Sequence, residues 1–333
     1  MKAFFTDVFG FILLIGIVIL LAAFPAFKQA EWSFVLSETT VSFLTIFLSI
    51  LIEAFPFLLA GALMSAFIGL YIKPSHISKW IPKHPFLSII PALILACLLP
   101  ICECAIVPVI RNFIRKGVPI HVAVAFMTAA PILNPIVAAS TYYAFNLDWS
   151  MVGWRMGLAF ICTCLIAIIM YILFRQRGKT DVLQYDEMSE HEEHVHEKGI
   201  KGIFYHTADD FLFMARYFVI GAFLASLFQT FFARDWLALT GDTTVFGIMM
   251  MMGLGYLLSL CSEADAFIAA SFGRTFSFEA TLSFLIYGPM LDLKNTLMML
   301  STFKWRFIIA FHVVVTIVVF LTMLVIAFIG GGS

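Results

Sequence analysis

In a chain of 333 residues, the run Leu99-Pro100-Ile101-Cys102-Glu103-Cys104-Ala105-Ile106-Val107-Pro108 sets two thiols and a carboxylate between two prolines, inside apolar sequence. Thiolates take soft species such as Cu(I), Zn(II) or trivalent metalloids, while a carboxylate can exchange a proton. Prolines free backbone carbonyls and expose half-helix ends, which can then coordinate a solute. The cysteines alone would pass as small apolar packing residues; Glu103 would not. A second set is Cys261-Ser262-Glu263-Ala264-Asp265. Two acids two apart on a helix point in different directions, so one can titrate while the other pairs with Lys294 or Arg216. Ala130-Pro131-Ile132-Leu133-Asn134-Pro135 and Gly288-Pro289-Met290-Leu291-Asp292-Leu293-Lys294 read as helix breaks facing these two sets. Asn134 offers both donor and acceptor, and Asp292 with Lys294 forms an internal pair or lines a path. The substrate-binding candidates are therefore Cys102, Glu103, Cys104, Pro131, Asn134, Cys261, Glu263, Asp265 and Asp292. For proton exchange they are Glu53, Glu103 and Glu263.

Other polar residues carry weaker expectations. Glu53 precedes Pro56 in an apolar segment, as a proton site or as a seal of the bundle. Arg111, Arg115 and Lys116 anchor the chain at the membrane surface or draw in an anion. Cys162-Thr163-Cys164 lies in smooth apolar sequence and reads as packing, and His312 as a helix-to-helix hydrogen bond. The stretch Glu190–Glu197 contains His191, His194 and His196, which offer a weak metal site, with a solvated linker as the plainer account.

These residues need a membrane scaffold to hold them. Of the chain, 62% is hydrophobic and 12% charged, against about 45–50% and about 25% in average soluble domains. That excess excludes a soluble enzyme, a disulfide scaffold and a disordered chain. A net charge of −1 gives no reason to expect nucleic acid. All six cysteines sit in apolar stretches, so they form no extracellular disulfide framework. Spans of about 20 apolar residues are expected near 9–27, 41–72, 86–109, 120–145, 151–174, 210–232, 244–271, 280–300 and 305–328. Basic residues on both sides of 86–109 place both its ends in the cytoplasm, and Pro100 with Pro108 would break a continuous helix there. The predicted fold is all-α and polytopic, with about seven transmembrane helices plus two re-entrant hairpins, or else nine full crossings. Its parts are an N-terminal helix and loop (1–40), a first membrane repeat (41–174), a cytoplasmic His/Glu-rich loop (175–209), a second repeat (210–329) and a flexible tail (330–333).

The repeat rests on ordered matches. Cys102-Glu103-Cys104-Ala105 corresponds to Cys261-Ser262-Glu263-Ala264, and Pro131 to Pro289, with Cys-to-Pro spacings of 29 and 28 residues. Phe126 and Phe284 each stand five residues before that proline, and Gly61-Ala62 corresponds to Gly221-Ala222. The charge-derived topology makes the two halves inverted, the arrangement of secondary transporters whose interrupted segments meet at the midplane.

Pro100 to Val109, then Arg115-Lys116-Gly117-Val118-Pro119, then Ala130 to Pro135, resemble the ArsP-like predicted permease family of bacteria. The resemblance is sharpest over residues 45–145. It implies an integral permease of the plasma membrane, in a family whose members with an assigned substrate are linked to efflux of trivalent organoarsenicals. Cys102 and Cys104 would correspond to the family's paired cysteines, and Pro131 and Asn134 to its second motif. Glu103 stands where arsenical-type members carry a small residue. In this the chain is more similar to a Gram-positive subgroup whose members look like one half of a two-component permease. The partner implied is a smaller membrane protein with an extracytoplasmic domain. The expectation is a permease moving a small solute, metal or metalloid among membrane lipids, needing no cofactor and not an enzyme. An intramembrane enzyme or transporter acting on a lipid-linked substrate, and a non-transporting scaffold subunit, are the other readings.

Overall fold

A computed structural model describes residues 38–71, 82, 84–99, 101–175, 182–184, 200–231, 244–273 and 275–330. The chain folds as helices: α1 (Glu38–Tyr71), α2 (Ile89–Leu98), α3 (Glu103–Arg115), α4 (Ile120–Ala129), α5 (Pro135–Ala144), α6 (Trp149–Phe174), α7 (Ile200–Phe231), α8 (Thr244–Leu258), α9 (Ser262–Phe272), α10 (Phe278–Met290), α11 (Leu293–Thr302) and α12 (Trp305–Gly330). Among the described residues the only β-type pairing is an isolated bridge between Leu183 and Phe303. It tacks the segment after α6 onto the turn before α12, with Lys304 N–H donating to the Val182 carbonyl.

Among the described residues, four helices are long and apolar enough to cross a membrane, over Thr39–Ile68, Trp149–Phe174, Asp210–Phe231 and Trp305–Ile329. Their outer faces are apolar too: Val313, Ile317, Leu321, Val325 and Phe328 form an exposed stripe along α12. Its inner side is packed by Phe307, Phe311, Val315 and Val319. A helix that is hydrophobic all round is one whose outer solvent is lipid. The chain is a multi-pass membrane protein.

The expected segment 9–27 lies outside the described residues; the other four apolar segments are divided. Segment 86–109 becomes α2 and α3, 120–145 becomes α4 and α5, 244–271 becomes α8 and α9, and 280–300 becomes α10 and α11. The proline motifs predict the breaks at 130–134 and near 290, and each break is capped. Asn134 Oδ1 accepts from Val137 N–H, with Pro135 pre-set at the first helical position. Asp292 Oδ1 accepts from Asn295 N–H in the same way. Pro108 departs from expectation: α3 runs through it from Glu103 to Arg115. An internal proline forfeits one backbone hydrogen bond and crowds the preceding turn. Here every residue from Glu103 to Arg111 is buried, so surrounding packing holds the helix together. Likewise α10 passes Pro289 and ends at Met290. Helix α7 starts at Ile200, ten residues upstream of the apolar segment that sequence marks at 210.

Packing places α3, α4 and α10 deepest. Helices α1 and α7 lie against each other, α1 on α3 and α7 on α11, while α5 packs on α9 and α3 on α11. Close approach is made by glycine. A Cβ on Gly61 would lie 2.9 Å from Ala105 Cα, and one on Gly221 would lie 2.9 Å from Lys294 Cα.

Candidate functional site

Helix α3 begins at Cys102, its N-cap, and α9 begins at Cys261, also an N-cap. Neither cysteine caps its helix with a side-chain hydrogen bond. The side chains of Cys102 and Cys104 are neighbours. Cys102 and Cys104 are buried, whereas Cys261 is half-buried and Cys97, at the end of α2, is exposed.

Three of the four breaks meet. Ser259, between α8 and α9, adopts φ 49°, a region non-glycine residues seldom enter. Its Oγ accepts from Leu293 N–H at 3.0 Å, tying this break to the one before α11. On the other side Gln229 Nε2, from α7, donates to the Leu258 carbonyl at 2.6 Å and satisfies an orphaned end of α8. Glu103 lies within electrostatic reach of Lys294, Asp292 and Cys102, and Cys261 within reach of Glu103, Lys294, Cys102 and Glu53. Cys102, Glu103, Cys104, Cys261, Asp265, Asp292 and Lys294 thus surround one centre. Asp292 and Lys294 form the internal pair, with Nζ to Oδ2 at 3.9 Å. The ammonium also lies 5.8 Å from the ring centre of Phe218 on α7.

Glu103 is 1% exposed, and neither of its side-chain oxygens has a hydrogen-bond partner. Asp265 Oδ2, Asp292 Oδ2, Ser262 Oγ and Asn295 Oδ1 are likewise buried without a hydrogen bond. Buried polar atoms are nearly always paired, so this concentration marks the centre as built for something more than packing.

Other candidates fall elsewhere. Asn134 spends its side chain inside its own break, with Nδ2 donating to the Ala130 carbonyl at 3.2 Å and Oδ1 on the Val137 amide. Pro131 is buried in that break. Glu263 is half-buried near Cys102, and Glu53 is exposed on α1. His191, His194 and His196 lie outside the described residues. Among the described residues, no three His, Cys, Asp or Glu side chains are gathered as a metal ion requires. Arg111 is buried at the end of α3, 3.8 Å from Asp210 and stacked on Phe213. Asp210 Oδ2 also accepts from Ser65 Oγ at 2.6 Å, and Asn112 Nδ2 donates to the same hydroxyl. Arg111 therefore belongs to an interhelical lock between α1, α3 and α7. Arg216 stacks on Phe213 and Tyr217 rather than meeting Glu263 or Asp265. His312 bridges helices as expected, its Nε2 lying 2.9 Å from Thr296 Oγ1 on α11.

Sequence reasoning missed Arg155. It is fully buried in α6, donating from Nη1 to Thr141 Oγ1 at 2.7 Å and from Nη2 to the Ser262 carbonyl at 3.0 Å. It lies within electrostatic reach of Asp265 and Glu263. The available signal was an arginine inside an apolar span, costly unless it has a task.

With this geometry in view, the comparisons with known proteins are consistent. Residues 39–328 match the ArsP_1 family, described as a predicted permease. The UPF0718 protein YcgR of Bacillus subtilis is 40% identical over 277 residues, 83% of this chain and 93% of that protein. A Streptococcus mutans protein named as a putative two-component membrane permease complex subunit is 36% identical over 279 residues, 83% of this chain and 92% of its own length. The UPF0718 protein MJ0584 of Methanocaldococcus jannaschii is 27% identical over 47% of this chain and 43% of that protein. No solved structure matches the chain.

Proposed function

We propose, from the premise that this chain belongs to the ArsP_1 permease family, that it is a secondary transporter or the transporting subunit of a two-component permease. It moves a small solute, metal or metalloid across the plasma membrane, with protons exchanged at Glu103. The observation that carries this reading is Glu103 itself: a carboxyl 1% exposed, at a meeting of helix breaks, with no hydrogen bond on either oxygen. An intramembrane carboxyl in that setting is costly, which selects for a functional use. Solute would bind beside it at Cys102, Cys104, Cys261, Asp265 and Asp292, with Pro131 and Asn134 shaping the neighbouring break. Half-buried Glu263 and exposed Glu53 stand on the way in.

The order of elements supports an internal repeat, and the basic loops favour its inversion. A long helix, two divided segments and a long helix occur twice, as α1 to α6 and as α7 to α12. The N-caps Cys102 and Cys261 fall at the same place in each series, as do Asn134 and Asp292. Interrupted helices meeting inside such repeats form the solute sites of secondary transporters.

Accumulation of candidate solutes, including trivalent organoarsenicals, in energised vesicles tests this reading. Glu103→Gln should abolish accumulation driven by a proton gradient, and Glu263→Gln should weaken it. Accumulation indifferent to both substitutions overturns proton exchange at these acids. For the two-component reading, tagged chain should retain a smaller membrane protein through detergent purification.

A further inference from the structure

The buried charges at the centre do not balance. Glu103, Asp265 and Asp292 are each at most 2% exposed, and the cations buried among them are Lys294, at 2%, and Arg155, at 0%. Three acids against two bases leave the ionised set one positive charge short. Glu263 and Glu53, both more exposed, add only negative charge at the rim. The side-chain atoms left without partners carry the same message. Both oxygens of Glu103, one each of Asp265 and Asp292, and Asn295 Oδ1 are acceptors, Ser262 Oγ can act as one, and against them Arg155 Nε is the single unpartnered donor. Acceptors in excess of donors call for a cation.

Lys294 is the hub of this arrangement. Glu103, Asp265, Asp292, Cys104 and Cys261 all lie within its electrostatic reach. In the structure its ammonium stands by Asp292 at 3.9 Å, and Glu103 is left without a partner. Its backbone is pinned by α7, where Gly221 abuts its Cα. Its flexible side chain is what can move.

We propose that the centre binds one exchangeable monovalent cation, a proton or a sodium ion, at Glu103, and that Lys294 is a tethered counter-ion competing for the same carboxylate. With the cation bound, Lys294 pairs with Asp292, as observed. When the cation leaves, Lys294 turns to Glu103, and the buried centre never holds an unpaired anion beside the solute. A second cation is disfavoured, because Lys294 and Arg155 already neutralise two of the three acids. The inference rests on the transporter reading and names the ion that accompanies the solute.

The groups facing Glu103 are Cys102 and Cys104 on its own helix, Asp292 and Lys294 on α11, and Cys261 at the cap of α9. Helix α1 adds Glu53 beyond Cys261, and α4 adds only His121, which is engaged with Ser88. The test follows the thermal unfolding midpoint of the full chain in lipid nanodiscs. It is measured from pH 5.5 to 8.5, in sodium chloride and in choline chloride of equal strength, for wild type and Glu103→Gln. The difference between the two proteins is the readout, since titration elsewhere is common to both. A proton predicts that wild type gains several degrees on acidification, equally in both salts, and that Glu103→Gln loses this gain. Sodium predicts a saturable gain at high pH in sodium chloride alone, lost in Glu103→Gln. Lys294→Met should enlarge whichever response is seen. If that variant does not fold, the neutral pair Lys294→Met with Asp292→Asn should keep the response of one cation. A wild-type response matching Glu103→Gln under all conditions overturns the proposal. Solute transport without a cation response would sink this inference and leave the transporter reading standing; a cation response without transport of any solute would do the reverse.

Discussion

At the scale of single residues, Arg155 shows how a buried charge can brace two elements of a site. Its guanidinium spans two elements, holding Thr141 of α5 and the first carbonyl of α9 in one planar fork. No other residue type reaches both with fixed geometry, and a lysine offers a single flexible point of charge. Removing one side of a buried, hydrogen-bonded charged arrangement costs about 3–5 kcal/mol. Arg155→Met should therefore lower the unfolding midpoint of the purified protein sharply, with Arg155→Lys intermediate. Thr141→Val, which removes one hydrogen bond to a charged group, should cost about 1.5–3 kcal/mol. Equal midpoints for wild type and Arg155→Met would show that the fork braces nothing. Its role was hidden from sequence because its partner Ser262 lies 107 positions away. The Cys-Glu-Cys run announced itself because its chemistry is local.

At the scale of elements, two glycines set how closely the long helices approach α3 and α11, beside the polar ties that join the breaks. Gly61 lets α1 close onto α3 three residues past Cys102, and Gly221 lets α7 close onto α11 at Lys294. Gly221→Ala would drive a methyl group to 2.9 Å from a backbone atom, which nothing flexible can relieve. Such overpacking costs about 1–3 kcal/mol and displaces the turn that carries Asp292 and Lys294. Gly153→Ala on α6 is the control, because nothing lies within 4 Å of its added Cβ. We expect Gly221→Ala to lose both stability and solute accumulation while Gly153→Ala keeps both; a reversed order would deny that the α7–α11 approach matters. The breaks themselves were legible, since Pro131, Pro135 and Asn134 act through local backbone chemistry. The passage of α3 through Pro108 was not, because packing from α1, α4 and α11 overrides the local preference. The division between α8 and α9 has no proline to mark it; it was legible only through the repeat that sets Cys261 opposite Cys102, and it depends on Ser259 at φ 49° bonded to Leu293.

At the scale of the whole molecule, composition made the lipid solvent plain, and the four long apolar helices agree with it. Apolar composition is blind to direction, however, so the orientation of the two helix series rests on a few lysines and arginines. Helices α6 and α12 occupy the same place in their series, and each opens with an exposed tryptophan, Trp149 at 69% and Trp305 at 65%. Tryptophan at a helix start suits the membrane–water boundary. If the halves are inverted, these two tryptophans lie at opposite surfaces; if parallel, at the same one. Single-site Trp149→Cys and Trp305→Cys variants should separate the cases through labelling of intact cells with a membrane-impermeant maleimide. Wild type supplies the background from the six native cysteines. By the positive-inside rule, the basic residues beside Trp305, namely Lys304 and Arg306, predict a cytoplasmic position for that end. Trp149→Cys should then label in intact cells and Trp305→Cys only after permeabilisation. Labelling of both from one side would make the repeats parallel and remove the pairing of opposed breaks on which a midplane site for Glu103 and Lys294 depends.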